Sequence, residues 1–205
     1  MAKGTRKKTS KIECSVGSIE QVMTEARLIK AKDEIGILQP KIKVFNASTN
    51  ELPKYETPDS TCMDIRVDFT REEAVDALKD LGIRFSINDG ELGFYFKPNA
   101  RVLIPTGLVM AIPEGYGVSL RPRSGLAYAG ILIANSPGTI DADYRDEVKV
   151  ILVNNGDETV FINNGFRCGQ MLIEKVTQFE WDEVDSIEAL GKTYRKGGIG
   201  HTGTK

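Results

Sequence analysis

The sequence predicts an all-β fold carrying a small helical insertion and an N-terminal helix. Three observations lead there. Short β-type runs recur from about residue 41 onward, each closed by a turn signal. No regular alternation of strands with long helices occurs, which disfavours a doubly wound parallel sheet. Composition is that of an ordinary globular chain, with 40% hydrophobic and 27% charged residues among 205.

The order of elements follows from patterning. Residues 1–11 hold five Lys or Arg and no apolar core, so a solvated tail rather than a signal peptide is expected. Residues 18–32 read as a helix: Ser18 and Gln21 have capping-box spacing, and Ile19, Val22, Met23, Ala26 and Ile29 make one apolar face. Strand runs follow: IKVF; RVLIP up to a turn at Thr106-Gly107; GLVMAIP; VKVILV before Asn154-Asn155-Gly156; TVFI before Asn163-Asn164-Gly165; and CGQMLIEKV. Their spacing predicts a sandwich or barrel. Residues 70–81 break the pattern with a capping box (Thr70, Glu73), an apolar face (Ala74, Val75, Leu78, Leu81) and Gly82 as a stop. A hairpin turning at Asn88-Asp89-Gly90 comes next. The segment from about 68 to 90 therefore reads as an insertion on the outside of a β domain.

Bulk properties exclude several function classes. A net charge of -2 gives no reason to expect nucleic-acid binding, although the basic tail could touch a phosphate backbone. No apolar run reaches the ~20 residues of a membrane span. Three scattered cysteines argue for a reducing, cytoplasmic compartment and against a disulfide framework. One histidine, His201, and no cysteine cluster disfavour a zinc site.

Three segments carry chemistry. Arg123-Ser124-Gly125 supplies a guanidinium, a hydroxyl and an approachable backbone, which suit a phosphate. Residues 134–148 place a turn, Asn-Ser-Pro-Gly, between ILI and TID, so a tight hairpin is expected. Asp141 and Asp143 would then share one face of its return strand as a base or cation pair. The C-terminal run, Arg195 to Gly203, has four glycines, two cations and small polar donors, as a flexible arm around a polyphosphate would.

The order PRSGLA, GTIDADY, GFRCGQM and terminal GGIGHTG resembles the motif pattern of the trimeric dUTPase family, from about Ile42 to Gly203. A weaker first motif, Ser60 to Ile65, precedes them. The resemblance implies a distorted jelly-roll β-barrel of the dUTPase-like β-clip type. It also implies a homotrimer with active sites between subunits, and Mg2+-dependent hydrolysis of dUTP to dUMP and diphosphate. It assigns Asp141 as the base that activates water, and Asp64 as the residue that holds the metal through water. Arg123, Ser124, Gly125 and Gln170 would bind phosphates. Asn135, Gly138, Thr139 and Ile140 would read the uracil, Tyr144 would pack under the deoxyribose, and the Lys149 backbone would assist. Arg195, Gly198, Ile199, His201 and Thr202 would close the site from residues 191–205, with the barrel spanning 41–190 and an extension spanning 1–40. Four positions depart from the family pattern: Cys62 and Asp146 stand where glycine is usual, Ile199 where phenylalanine is usual, and His201 where serine is usual. Two alternatives share the fold. One is a dCTP deaminase, for whose glutamate Glu147 could be mistaken. The other is a binding or regulatory trimer, for which the loss of Asp141 would have spoken. No matched site residue lies in the insertion, so its deletion is expected to spare catalysis.

Overall fold

The computed structural model describes residues 39–194, together with residues 23, 24, 26–28, 30 and 197. Eleven strands lie among them: β1 (Lys43–Asn46), β2 (Met63–Arg66), β3 (Phe85–Asn88), β4 (Glu91–Phe96), β5 (Arg101–Ala111), β6 (Tyr116–Arg121), β7 (Ile131–Ile133), β8 (Gly138–Ile140), β9 (Glu147–Asn154), β10 (Val160–Asn163) and β11 (Arg167–Lys175). Helices α1 (Glu72–Asp80) and α2 (Ser124–Tyr128) and a 3-10 turn (Ile187–Leu190) lie between and after the strands. Every strand pair is antiparallel.

The strands form three sheets, ordered β1-β5-β9-β7, β2-β11-β6-β8 and β10-β4-β3. Alternation explains how they close. On β9, Val148, Val150, Leu152 and Asn154 are buried and the residues between them are not. All three sheets feed one core cluster, which includes Ile104, Val150 and Leu152 from the first, Ile65, Val118 and Leu120 from the second, and Phe94, Phe96 and Ile162 from the third. A Cβ on Gly169 of β11 would meet Ile133 Cδ1 at 2.9 Å, so the first two sheets press together at a residue with no side chain. The result is the expected distorted jelly-roll barrel.

Several local expectations are corrected. ILI and GTI do not form a hairpin. β7 pairs with β9 and β8 pairs with β6, so residues 134–137 carry the chain from one sheet to the other. Both strands bury alternate side chains, and they do so from opposite walls of the same core. Thr106-Gly107 is not a turn either. β5 runs through it as one strand, with a register shift between Pro105 and Val109. Gly107 has φ +72°, and a Cβ there would meet the Ser48 nitrogen at 2.8 Å, so glycine is required at this bulge.

The helix at 70–81 is present as α1, but its capping box is not. Arg71 is the N-cap, with no side-chain cap, and Thr70 instead donates its hydroxyl to Asp68. The hairpin through residues 88–91 forms as expected, with Phe85 opposite Phe94. The segment is not simply outside the barrel. Phe69, Val75 and Leu78 belong to the core cluster, Phe85 packs on it, and Phe69 and Phe85 meet edge to face at 5.0 Å. Of the N-terminal helix, residues 23, 24, 26–28 and 30 are helical and exposed, Met23 and Ala26 among them; Ser18, Ile19, Gln21, Val22 and Ile29 lie outside the described residues. No described helix is long and apolar enough to cross a membrane.

Candidate active site

The sheet-crossing segment builds a cleft. It measures ≈170 Å³ and is lined by Asn135, Gly138, Thr139, Ile140, Asp141, Tyr144 and Lys149, over a floor of Leu120 and Val148. β8 supplies a short backbone edge, since only Gly138 to Ile140 are strand and they pair with β6 on one side. Gly138 is buried, with Asn135 Nδ2 at 3.2 Å from where a Cβ would stand. A Cβ here would force the Asn135 amide to shift by a few tenths of an ångström.

Asp141 lies just beyond β8 and is exposed. The strand has ended there, so Asp141 and Asp143 do not share a strand face as the sequence suggested. The chain turns instead, and Tyr144 N–H donates to the Asp141 carbonyl at 3.2 Å. That turn presents Asp141 and the Tyr144 ring to one cleft. Tyr144 is oriented by its hydroxyl, which donates to the Glu147 carbonyl at 2.8 Å. Its pKa is raised, first by burial and then by the charges of Asp146 and Glu147.

A second group assembles on the neighbouring strands. In the ladder β2-β11-β6, Asp64, Gln170 and Arg121 occupy one row. Arg123, two residues past Arg121, donates through Nε to Asp64 at 2.8 Å, and Arg167 reaches the other Asp64 oxygen at 3.2 Å. Gln170 donates to the Pro122 carbonyl at 2.9 Å, which holds the loop that carries Arg123. With Nε turned to Asp64, the outer edge of the guanidinium is left for an anion. Ser124 and Gly125 are exposed, and nothing lies within 4 Å of a Cβ built on Gly125, so its backbone is open to a ligand.

The expected residues thus form two groups, cleft and clamp, which β6 connects. Arg195, Gly198, Ile199, His201 and Thr202 lie outside the described residues. Among the described residues, no cluster of three or more His, Cys, Asp or Glu side chains could hold a metal ion. Asp64 is a lone carboxylate with a guanidinium at each oxygen, which suits it to accept from metal-bound water rather than to cage a bare cation.

Sequence reasoning missed the support behind the cleft. Glu147 Oε1 accepts from Thr106 N–H at 3.1 Å and Gly107 N–H at 2.7 Å, the two donors freed by the β5 bulge, and from Arg71. Arg71 also pairs with Asp68, which is fully buried. Burial opposes the ionisation of Asp68, but hydrogen bonds from Thr70 and Arg71 together with the Arg71 charge outweigh it, and its pKa is lowered. The one sequence signal was the placement of Glu147 three residues after Tyr144.

Known proteins resemble this chain over most of its length. The family model described as dUTPase matches residues 91–203. A deoxyuridine 5'-triphosphate nucleotidohydrolase of Fusobacterium nucleatum is 39% identical over 164 residues, 80% of this chain and 97% of its own length. One from Finegoldia magna is 42% identical over 165 residues, 80% of this chain and 99% of its own. Among solved structures, the Staphylococcus bacteriophage 80alpha dUTPase with dUpNHpp superposes with a TM-score of 0.59 at 19% identity, covering 80% of this chain and 99% of that one. A mutant dUTPase from phage phi11 of S. aureus, in which a structural Mg(II) ion is coordinated, gives 0.56 at 20% identity over 73% of this chain and 99% of that one. The two structures bear on the fold, and the sequence relatives on the family. The chain belongs to the dUTPase family.

Proposed function

We propose that this chain is a dUTP diphosphatase: it hydrolyses dUTP to dUMP and diphosphate, with Asp141 as the general base. The observation that carries this reading is the single cleft that gathers Asn135, the β8 backbone, Asp141 and Tyr144. The backbone edge of Gly138 to Ile140, with the Asn135 amide, offers donors and acceptors to a pyrimidine edge. The Tyr144 ring, held by Glu147, lies where a sugar would rest and leaves no room for a 2′-hydroxyl. Asp141, exposed and one residue past the base-reading strand, orients a water toward the α-phosphorus and takes its proton. Arg123, Ser124 and Gly125 bind the phosphates, Gln170 fixes the Arg123 loop, and the Lys149 backbone borders the cleft.

Mg2+ supplies charge neutralisation on the triphosphate when bound. Asp64, beside the phosphate-binding Arg123, would hold the ion through water.

In a homotrimer with sites between subunits, the cleft of one chain and the clamp of another would serve one nucleotide. Exposed apolar side chains support assembly. Phe179, Trp181, Ile187 and Leu190 are between 72% and 88% exposed, and a groove lined by Ile42, Val44, Leu52, Tyr55, Met110 and Ile173 stands open. In this reading residues 1–40 are an extension, 41–190 the barrel and 191–205 the closing arm. That arm would bring Arg195, Gly198, Ile199, His201 and Thr202 over the phosphates and base.

The deaminase reading loses its glutamate, because Glu147 is occupied by Arg71 and two backbone donors. Incubation with dUTP, dCTP, dTTP and UTP in the presence of Mg2+, with products resolved by chromatography, tests the proposal. Conversion of dUTP alone to dUMP is expected, and release of dUTP from dCTP would overturn it.

A further inference from the structure

A cavity of ≈250 Å³ lies between α1 and the barrel, with Arg71, Leu78, Leu103, Glu147 and Lys149 among its lining. Lys149 lines the Asp141 cleft as well, so the helical segment adjoins the candidate active site without forming its wall. At this junction stands Arg71, the N-cap of α1. Val75 N–H donates to the Arg71 carbonyl at 3.2 Å, and Val75 and Leu78 are core residues, so Arg71 sits on a fixed element. Its guanidinium side chain, only 18% exposed, forks between two carboxylates: Nε donates to Asp68 and Nη2 to Glu147.

Glu147 carries this anchorage to the site. Its carboxylate also takes the Thr106 and Gly107 N–H groups, and its carbonyl takes the Tyr144 hydroxyl. Among the described residues, that last contact is the one hydrogen bond of the Tyr144 side chain, so it sets the tilt of the ring. The carboxylate and the carbonyl of Glu147 share one Cα, and a side chain held in place holds the carbonyl with it. A half-buried carboxylate stripped of its cation would be drawn toward water, and the backbone would follow. Small displacements count here, because rejection of a 2′-hydroxyl is steric and a shift of about 1 Å in a substrate-positioning group is enough to alter rates. Burial opposes the charge on Arg71, but its two carboxylates outweigh burial and raise its pKa, so the fork stays charged.

We propose that Arg71 is a positioning residue for sugar selection: by fixing Glu147 against the β5 bulge it places the carbonyl that holds the Tyr144 hydroxyl, and the helical segment thereby sets how strictly the site rejects UTP. This role rests on the assignment of Tyr144 to the deoxyribose of dUTP.

The test is steady-state hydrolysis of dUTP and of UTP by the full chain with Mg2+, read as the ratio of kcat/KM for the two. Asp68→Asn/Arg71→Met removes both charges of the buried pair, so none is left unpaired and the fold is kept. Arg71→Lys is the second variant: it leaves a cation for Asp68 but lacks the branch that reaches Glu147. Thermal unfolding followed by dichroism verifies that both are folded. The ratio of dUTP over UTP should fall at least about threefold in each, the scale of one hydrogen bond lost or misplaced. Tyr144→Phe keeps Arg71, Asp68 and Glu147 but has no hydroxyl to hold, and should lower the ratio by a similar factor. Adding Tyr144→Phe to Asp68→Asn/Arg71→Met should lower it no further, because both changes cut the same link. A purely structural role for Arg71 would lower kcat/KM for both substrates alike and leave the ratio where it was. An unchanged ratio in the Arg71 variants or in Tyr144→Phe, or falls that multiply when the substitutions are combined, would overturn the proposal. A parent that leaves dUTP intact would overturn the dUTPase reading and this role with it, whereas a parent selective for dUTP with unaltered ratios in the Arg71 variants would remove Arg71 alone.

Discussion

At Glu147 a single carboxylate oxygen takes two backbone N–H groups from β5 and the guanidinium of Arg71, while the carbonyl of the same residue takes the Tyr144 hydroxyl. One residue therefore joins the bulge, the helical segment and the ring proposed to read the sugar. Replacing Arg71 by Met should leave Asp68 buried without its countercharge and cost about 3–5 kcal/mol of stability, read from urea unfolding. Because the pKa of Asp68 is lowered in the folded state, its contribution is fully present above the ordinary carboxylate pKa near 3.8 and is lost as pH falls through the lower, folded value. The drop in melting temperature below about pH 4 should shrink in Asp68→Asn, and an unchanged acid limb would discount the pair. Tyr144→Ala should lower the ratio of kcat/KM for dUTP over UTP, and an unaltered ratio would mean that another group reads the sugar. Glu147 was hard to read from sequence because its partners lie 40, 41 and 76 positions away.

Among the elements, the helical segment changes meaning once its packing is known. With no site residue in it, its removal looked harmless from the sequence. Phe69, Val75 and Leu78 are core residues, however, and Arg71 ends on Glu147. Deletion of residues 68–89 is now expected to abolish cooperative unfolding, as followed by dichroism, rather than to give a healthy enzyme. A sharp thermal transition near that of the parent would contradict this. Strands, and the hairpin at 88–91, were legible because period-two alternation and an Asp-Gly turn are local signals. Pairing was not: ILI and GTI looked like a hairpin, yet each found its partner in a different sheet. Thr106-Gly107 misled for a related reason, since the same residue types serve a turn and a bulge, and only the partner strand decides between them.

For the whole molecule, the ordered motifs were legible because each needs particular residue types at close spacing; how they come together was not, because that depends on the closure of three sheets. Truncation after Lys192 should leave the barrel folded and assembled, with poor turnover, and a shift to monomers in light scattering would give the tail a structural role instead. Asp141→Asn should keep nucleotide binding and lower turnover by at least ~10²-fold, the scale of a lost general base. The central claim, that water held by Asp141 attacks the α-phosphorus, is tested most directly by hydrolysis of dUTP in 18O-labelled water followed by mass spectrometry of both products. The label should appear in dUMP and be absent from diphosphate; label in diphosphate would place the attack on the β-phosphorus and contradict the mechanism.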